Sequence, residues 1–295
     1  MEKPNIQDNE ILIQVHAASV NPVDWKVRSG KLKLLTGIKP PGILGGDYAG
    51  VVVEVGKKVT NYQIGDEVWG MINAFKGGTY AEYLKVKIKE IGPKPENLNF
   101  EEASSIPLAG LTAYQSLVYL GHIKEGNHVI VNGCTGGVGL AGLQIAKALK
   151  CKVTGVCSTK NLELAHEIGA DDVIDYTKED ILVNKDTYDI FFDAVASQSF
   201  DKAKVTLKQN GTYITTLPSF QSLILGPIIN IISTKKIKTI LVKPSTKDLA
   251  VLKEMVESGK LIPVIGKIYP LNKVQEAHAW SETERVVGKL VLKII

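Results

Sequence analysis

Short apolar runs punctuated by glycine occupy the first ninety residues. They cover residues 11–17, 50–55, 67–72 and 80–85. Runs of this length, bounded by turn residues, are typical of the strands of a compact all-β domain. Near residue 100 the apolar positions change to helical spacing, so residues 100–103 and 108–120 are predicted to be helical. We therefore place a domain boundary after residue 106.

Strands and helices alternate from residue 128 onward. The pattern predicts strands at 128–132, 152–157, 173–175, 188–195 and 211–217, and helices at 137–150, 161–168 and 247–258. Such alternation is typical of a parallel sheet covered by helices on both faces. The tail, 262–295, returns to short apolar runs. We predict an α/β protein in which a doubly wound domain, 107–259, is inserted in a β-rich domain built from 1–106 and 260–295.

A glycine-rich turn follows the first strand of the predicted α/β domain. Its sequence, GCTGGVG at 133–139, lies between the strand 128–132 and an amphipathic helix. Glycines in such a turn let backbone N–H groups approach a pyrophosphate, which then lies at the positive end of the helix. The motif predicts dinucleotide binding, although glycine also serves ordinary tight turns.

The end of the second strand of this domain indicates which dinucleotide is bound. Domains that bind NAD usually present a carboxylate there to the ribose 2′-hydroxyl. In this chain the position holds Cys157, and the residues that follow are Ser158, Thr159 and Lys160. A carboxylate would repel a 2′-phosphate, whereas hydroxyls and an ammonium can bind it. We predict NADPH as the cofactor; the alternative is that Ser158 only caps the following helix.

Composition and charge narrow the choice of partners. The chain has 44% hydrophobic and 22% charged residues and a net charge of +4, which is ordinary for a globular protein and weak for nucleic-acid binding. Prolines and polar residues interrupt the apolar stretch 217–232, so a membrane span is not predicted. Three cysteines without a C-x-x-C pair, and a polar amino terminus, favour the cytoplasm. We expect neither a nucleic-acid nor a membrane partner.

Motifs lie along nearly the whole sequence. They are SVNPVDWK at 19–26, GGDYAG at 45–50, GDEV at 65–68, GLTAY at 110–114, the glycine turn, GAD at 169–171, VIDY at 173–176 and GK at 288–289. In this order they resemble the medium-chain dehydrogenase/reductase superfamily, in its zinc-independent group of quinone oxidoreductases and alkenal/enone reductases. The resemblance implies a GroES-like catalytic domain that carries an inserted Rossmann domain.

The resemblance also implies where the cofactor binds. The pyrophosphate and nicotinamide side would meet Thr112, Gly136, Gly137 and Val138. The adenosine phosphate end would be held by Ser158, Lys160 and Tyr176. Two residues that follow strands, Val195 and Leu217, would border the nicotinamide, because ligands of doubly wound folds lie at the carboxyl ends of strands.

The residues typical of a zinc site are missing. In the zinc-dependent alcohol dehydrogenases of the superfamily, a catalytic cysteine falls at the position of Asn21 and a metal-binding histidine at that of Gly46. We therefore expect no metal. Reduction of a quinone or an α,β-unsaturated carbonyl suits such a site, because the anion formed needs only hydrogen-bond donors and a proton.

The resemblance provides candidates for those donors. They are Asn21, Tyr48 and Tyr80, with Asp24 and Arg28 shaping the pocket wall. For Asn21, which precedes a proline, the alternative is a turn residue. For Tyr80 the alternative is a packing residue of a strand.

Other interpretations stay open at this stage. The chain could be a zinc-type alcohol dehydrogenase, or a non-catalytic protein that binds a dinucleotide or RNA. The stretch 217–232 could form the surface of a homodimer or a buried core. Relatives usually begin with a further β-hairpin upstream of residue 11, so we expect the first domain to be incomplete at one edge.

Overall fold

The structure is a computed structural model, and it describes residues 3–30 and 42–295. The strands of this part of the chain are β1 (Glu10–Val20), β2 (Asp47–Val55), β3 (Glu67–Met71), β4 (Tyr83–Lys87), β5 (Ile91–Pro93), β6 (His128–Asn132), β7 (Lys152–Cys157), β8 (Asp172–Asp175), β9 (Tyr188–Asp193), β10 (Leu207–Thr215), β11 (Lys236–Thr239), β12 (Ile265–Pro270) and β13 (Lys289–Lys293).

The α-helices of the described residues are α1 (Pro22–Arg28), α2 (Phe100–Ser104), α3 (Pro107–Tyr114), α4 (Gly137–Ala148), α5 (Leu162–Glu167), α6 (Phe200–Ala203), α7 (Gly226–Ile232), α8 (Thr246–Glu257) and α9 (Val274–Glu282). Wider π-type turns, Gln115–Leu120 and Gln221–Leu225, follow α3 and precede α7. None of the helices in the described residues is long and apolar enough to cross a bilayer.

The chain divides into two compact units, Met1–Leu111 with Lys243–Ile295, and Thr112–Val242. These limits differ from the predicted ranges, which assign residues 107–111 and 243–259 to the α/β domain. The difference arises because α8 packs against β5 of the first unit, where Gly92 leaves room for the side chain of Leu249. Helical spacing alone did not indicate which sheet the buried face of α8 covers.

A seven-stranded sheet organises the first unit. Its order is β12-β13-β1-β2-β3-β5, and β4 pairs with the first half of β1. Alternate residues of β1, beginning with Ile11 and Ile13, point into an apolar core shared with Tyr48 and Val52. Of the four predicted strands, the fourth is displaced: β4 begins at Tyr83, so Tyr80 lies in the loop before it. The helix α9 was not predicted.

The second unit contains a six-stranded, all-parallel sheet of order β11-β10-β9-β6-β7-β8. The predicted strands 128–132 and 152–157 are confirmed residue for residue as β6 and β7. The strand order reverses between β6 and β9, and doubly wound sheets bind their ligands at such a reversal. The helix α7, within the stretch 217–232, and the strand β11, after it, were not predicted.

Candidate functional site

The glycine-rich turn after β6 follows a path that only glycine can adopt at two positions. Gly133 has a φ of +78°, and a Cβ on it would lie 2.3 Å from Cγ1 of Val195. A Cβ on Gly139 would lie 2.0 Å from the carbonyl oxygen of Gly133. Both distances are far below van der Waals contact. These two glycines therefore close the turn on itself and on the loop after β9.

The middle of the turn is open. Gly136 is the N-cap residue of α4, and a Cβ on it would meet only the carbonyl oxygen of Gly133, at 3.6 Å. Because glycine has no side chain, no cap engages the N–H groups of Gly137 and Val138 in the first turn of the helix. An open cradle of backbone donors at the positive end of a helix fits a pyrophosphate.

One buried carboxylate fixes the loop after β9. Asp193 accepts hydrogen bonds from Nδ2 of Asn132 at 2.8 Å and from the hydroxyl of Tyr213 at 2.9 Å. It also accepts from the backbone N–H groups of Ser197 and Gln198. Strands β6, β9 and β10 and the loop itself are thus joined through a single side chain, which holds the loop beside the glycine turn.

Two exposed apolar side chains follow β9 and β10. Val195 is 55% exposed and Leu217 is 40% exposed. They lie at the carboxyl ends of neighbouring strands, beside the reversal in strand order. Thr112, by contrast, is buried in α3. The predicted nicotinamide neighbours Val195 and Leu217 are therefore available to a ligand at this end of the sheet.

The hydroxyls predicted to bind a 2′-phosphate differ in their hydrogen bonds to the protein. The Thr159 hydroxyl donates to the Asp175 carboxylate, whose other oxygen accepts from the Thr177 hydroxyl at 2.7 Å. These two hydroxyls lower the pKa of Asp175 to about 2. Thr159 is thus committed to a protein carboxylate. Ser158 stands at the N-cap position of a short 3-10 turn, but its side chain makes no capping hydrogen bond. Neither Ser158 nor the exposed Lys160 is bonded to the Asp175 carboxylate.

Tyr176 lies beside the end of β7. Its N–H donates to the carbonyl oxygen of Cys157 at 3.1 Å, and its side chain is 59% exposed. The structure therefore brings Ser158, Lys160 and Tyr176 to the adjoining carboxyl ends of β7 and β8.

The first unit contains a buried polar cluster at the start of β2. Asp47 accepts hydrogen bonds from the Ser19 hydroxyl at 2.6 Å, from Nδ2 of Asn21 at 2.8 Å and from the N–H of Leu108 at 2.6 Å. The Nζ of Lys289 lies 3.4 Å from the same carboxylate and donates to Oδ1 of Asn21. Asp47 and Lys289 form a buried ion pair that locks the amide of Asn21 from both sides.

Asp24 is a second buried carboxyl in the same unit. Its Oδ2 accepts from the N–H of Asn21 and from the hydroxyl of Tyr80, both at 2.8 Å. Its Oδ1 has no partner among residues 3–30 and 42–295. Burial raises the pKa of Asp24 to about 7, against the lowering effect of those hydrogen bonds. Both protonation states of Asp24 are therefore populated near neutral pH.

Tyr80 connects Asp24 with a buried histidine. Its ring meets the ring of His278 edge to face, with centroids 5.8 Å apart. Nη1 of Arg28 lies 3.1 Å from Nδ1 of His278, and Arg28 also pairs with Glu282. Burial, followed by the charge of Arg28, lowers the pKa of His278 to about 4. Because arginine can only donate, Nδ1 accepts, and the ring proton of neutral His278 is on Nε2.

Tyr48 lies apart from this cluster. Its side chain is fully buried in the apolar core, and its hydroxyl donates to the carbonyl oxygen of Glu90 at 3.0 Å. It follows Asp47 in β2, so the two side chains point to opposite faces of the sheet. Of the predicted catalytic residues, the structure brings together Asn21, Asp24 and Tyr80, and it separates Tyr48 from them.

The sequence analysis did not identify several residues whose hydrogen bonds position the side chains of these sites. Asp47 and Lys289 stand in the GGDYAG and GK motifs, so the motifs carried a signal that was used only for the resemblance. Asp193 is a polar residue at the carboxyl end of a buried strand, which is a usual signal for such a position. Among the residues described, no group of three or more His, Cys, Asp and Glu side chains could hold a metal ion.

The parallel sheet, with an open glycine turn at the reversal of its strand order, defines a dinucleotide-binding fold. Comparison with known proteins agrees with that class. Residues 7–96 match the model of the alcohol dehydrogenase GroES-like domain, and residues 168–292 match that of zinc-binding dehydrogenases.

The 2-methylene-furan-3-one reductase of Solanum lycopersicum is 37% identical over 304 residues, covering 98% of this chain and 73% of the relative. The chloroplastic NADPH-dependent alkenal/one oxidoreductase of Arabidopsis thaliana is 36% identical, covering 98% and 73%. The quinone oxidoreductase structure from Coxiella burnetii has a TM-score of 0.87 at 34% identity, covering 100% and 93%. The chain belongs to the medium-chain dehydrogenase/reductase superfamily, among its quinone and alkenal/one oxidoreductases, and is an NAD(P)-dependent oxidoreductase.

Proposed function

We propose that this protein uses NADPH to reduce the double bond of α,β-unsaturated carbonyls, or quinones, without a metal. The observation that carries the proposal is the hydrogen bonding of the Asn21 side chain. Asn21 stands where zinc-dependent relatives have a cysteine ligand. Its amide oxygen accepts from the Lys289 ammonium. A cation bonded to this side chain disfavours a second, divalent cation at the same position. The names of two relatives, a 2-methylene-furan-3-one reductase and a quinone oxidoreductase, agree with this substrate class.

Thr112–Val242 would form the cofactor domain, and the remainder of the chain the catalytic domain. Gly136, Gly137 and Val138 would hold the pyrophosphate through backbone donors, while Thr112, Val195 and Leu217 would border the nicotinamide. The bound cofactor supplies a hydride to an electrophilic carbon. The chain orients the reactants. Its buried polar groups would supply the proton that the reduced substrate takes up after hydride transfer.

The preference for NADPH is supported by the end of β7. Ser158 and Lys160 follow β7, and Tyr176 follows the neighbouring strand β8. The carboxylate at the end of β8, Asp175, already accepts from Thr159 and Thr177 on both oxygens. A carboxylate that already accepts hydrogen bonds on both oxygens is a weak acceptor for a ribose hydroxyl. An exposed ammonium, by contrast, attracts a 2′-phosphate.

A substrate panel tests the proposal. The purified protein is mixed with NADPH and, separately, with a 2-alkenal, a cyclic enone, a benzoquinone and a simple alcohol with NADP⁺, and the absorbance of NADPH is followed with and without a chelator. We expect saturable oxidation of NADPH with an enone or a quinone, unchanged by the chelator. Turnover of the alcohol alone, or activity that the chelator removes, would contradict the metal-free reductase.

We also propose that the protein forms a homodimer in the cytoplasm through the second unit. Its apolar face is defined by Phe220, Leu223, Ile224, Ile228, Ile231 and Ile232, which are 45–83% exposed. This face adjoins β11, the outermost strand of the described sheet. Two copies of an edge strand can pair antiparallel about a two-fold axis, and the same axis would bring the two apolar faces together.

Light scattering after gel filtration tests the dimer. Ile231→Lys places a charge on the apolar face at a side chain that is 83% exposed, so we expect a monomer. Ile64→Lys, at a side chain 69% exposed in the first unit, is the matched control and should remain a dimer. A wild-type protein that is monomeric at micromolar concentration would refute the proposal.

A further inference from the structure

Two buried carboxyls share the polar cluster of the first unit, and their hydrogen bonds make them different. Asp47 is surrounded by donors, including the ammonium of Lys289. Asp24 accepts only two hydrogen bonds, both on Oδ2, and its Oδ1 is bare among the described residues. One ammonium cannot balance two carboxylates away from water. Asp24, which has fewer donors, is therefore the carboxyl of the two that takes up a proton more readily.

We propose that Asp24 is an acid that supplies protons to Tyr80, and that Tyr80 passes them to the anion formed when the substrate is reduced. This rests on the proposed function, because only such a reaction makes an anion that needs a proton. Tyr80 is partly exposed, whereas Asp24 is fully buried. Tyr80 is thus the catalytic residue of the pair, and Asp24 acts through it.

The direction of one hydrogen bond carries the transfer. When Asp24 is ionised, the Tyr80 hydroxyl donates to Oδ2 at 2.8 Å. When Oδ2 carries a proton, Asp24 donates and the phenolic oxygen accepts, so the phenolic hydrogen is released toward another acceptor. The pair therefore presents a hydrogen-bond donor to the substrate only in its protonated state.

Each proton is accounted for in this sequence. The O–H bond of Tyr80 breaks, and a new C–H bond forms on the enolate, or a new O–H bond on the hydroquinone anion. The phenolate takes the proton of Asp24. Water then gives a proton to the oxygen of the partly exposed Tyr80 as the Tyr80 hydroxyl proton passes to the Asp24 carboxylate. Burial and the nearby Asp24 raise the pKa of Tyr80 well above its ordinary value of 10.0, so Tyr80 cannot remain ionised and draws on its neighbour.

Few other groups around the pair change charge near neutral pH. Those facing Asp24 are Tyr80, Asp47 of β2 and Lys289 of β13. His278 of α9 faces Tyr80 and is neutral, because its pKa is lowered to about 4. Arg28 lies beyond His278 and is paired with Glu282. A pH-dependent step with a midpoint near 7 is therefore assigned to Asp24.

The experiment compares pH profiles of kcat and KM, at saturating NADPH, for the wild-type protein, Asp24→Asn and Tyr80→Phe. Wild-type kcat should fall as the pH rises through about 7. Asp24→Asn should lower kcat by about 100-fold at pH 6, with KM within about threefold, and approach the wild-type value at pH 9. Tyr80→Phe should also lower kcat at pH 6 and approach the wild-type value at pH 9, where the Tyr80 hydroxyl of the wild type donates to ionised Asp24. The matched control, Tyr62→Phe, removes a hydroxyl that donates to the Ile91 carbonyl at 3.3 Å and should change little.

The outcomes separate this proposal from the one on which it depends. Turnover with the same pH profile in Asp24→Asn as in the wild type would overturn the proton supply and leave the reductase intact. Absence of turnover with every enone and quinone would overturn both.

A second measurement does not depend on activity. Infrared spectroscopy of the free protein should show the carbonyl band of a protonated carboxyl that disappears with a midpoint near pH 7, and the band should be absent from Asp24→Asn. A wild-type carboxyl that is already ionised at pH 5 would overturn the proposal even if the enzyme is active.

Discussion

The glycine turn of the second unit and the polar cluster of the first both place polar groups at strand ends, but they use different parts of the chain. The turn is formed by the backbone of seven consecutive residues, 133–139. The cluster is formed by side chains, and its Asn21–Lys289 contact spans 268 positions. A backbone site is vulnerable to any added side chain, whereas a side-chain site is vulnerable to the loss of one charge. Substitutions can test this difference.

Loss of the buried ammonium should have the largest effect. Lys289→Met leaves Asp47 buried without its cation, which we expect to lower the free energy of unfolding by about 3 to 5 kcal/mol. Denaturation by urea measures this change. The control is Lys150→Met, which removes the partner of Glu125 in a pair whose side chains are 71% and 68% exposed. That variant should lose less than about 1 kcal/mol; a similar loss in both variants would contradict the importance assigned to the cluster.

Two glycines of one turn should respond differently to the same added methyl group. In Gly139→Ala the Cβ would lie 2.0 Å from a backbone oxygen, so we expect a loss of about 3 kcal/mol in stability. In Gly136→Ala the Cβ would lie 3.6 Å from the carbonyl oxygen of Gly133, so the fold should persist while the affinity for NADPH falls. Thermal unfolding and titration with NADPH measure the two effects. Equal stability losses would mean that the turn is not an open cradle.

The buried titratable groups of the first unit should make opposite contributions to stability. The pKa of Asp24 is about 7 when folded and has an ordinary value of 3.8, so the folded state binds more protons between these values. The free energy of unfolding then falls as the pH rises through that range, by up to about 1.4 kcal/mol per pH unit. The pKa of His278 is about 4 when folded, against an ordinary 6.5, so its contribution is lost as the pH falls through that range.

Urea denaturation between pH 4 and 8 separates the two contributions. Compared with the wild type, Asp24→Asn should gain stability more steeply as the pH rises from about 4 to 6.5, because the histidine contribution is then unopposed. His278→Gln should instead lose stability more steeply as the pH rises toward 7. Parallel curves for all three proteins would refute both assignments.

The smallest effect is expected at the end of β7. Lys160→Ala should weaken NADPH binding about tenfold, corresponding to about 1.4 kcal/mol, and NADH binding less than twofold, since only NADPH carries the 2′-phosphate. Fluorescence titration measures both affinities. The control is Lys152→Ala, at the opposite end of the same strand, where the lysine pairs with Asp172. Equal weakening of the two dinucleotides would contradict the choice of NADPH.

Local sequence patterns predicted the second unit better than the first. The strands β6 and β7 and the turn between β6 and α4 follow from apolar runs and glycine spacing over short segments. The pattern did not reveal that the Thr159 hydroxyl binds Asp175, because those residues meet only when β7 and β8 pair. It also did not reveal β11, whose four residues include two lysines and give no apolar run.

In the first unit the sequence indicated the candidate residues, but it did not indicate their hydrogen-bond partners. Asn21 and Tyr48 were expected to donate to a substrate, yet the amide of Asn21 is bonded to Lys289 and Asp47, and the hydroxyl of Tyr48 to the Glu90 carbonyl. Alternation along β2 would have suggested that Tyr48 and Asp47 face opposite ways. Which face of β2 is polar depends on the neighbouring strands, because β1 places Ser19 and β13 places Lys289 beside Asp47.

The sequence by itself determined the class of fold and the glycine turn. It also showed that the end of β7 carries Cys157 and not a carboxylate. Each of these depends only on the identity of residues that are neighbours along the chain. Only the tertiary structure decided which of the two buried carboxyls has few hydrogen-bond donors and which hydroxyls already donate to a protein carboxylate. The charge state of Asp24 depends on its burial and on the donors that reach it from Asn21 and Tyr80. Burial is a property of the packed chain, and the spacing of residues along the sequence does not contain it.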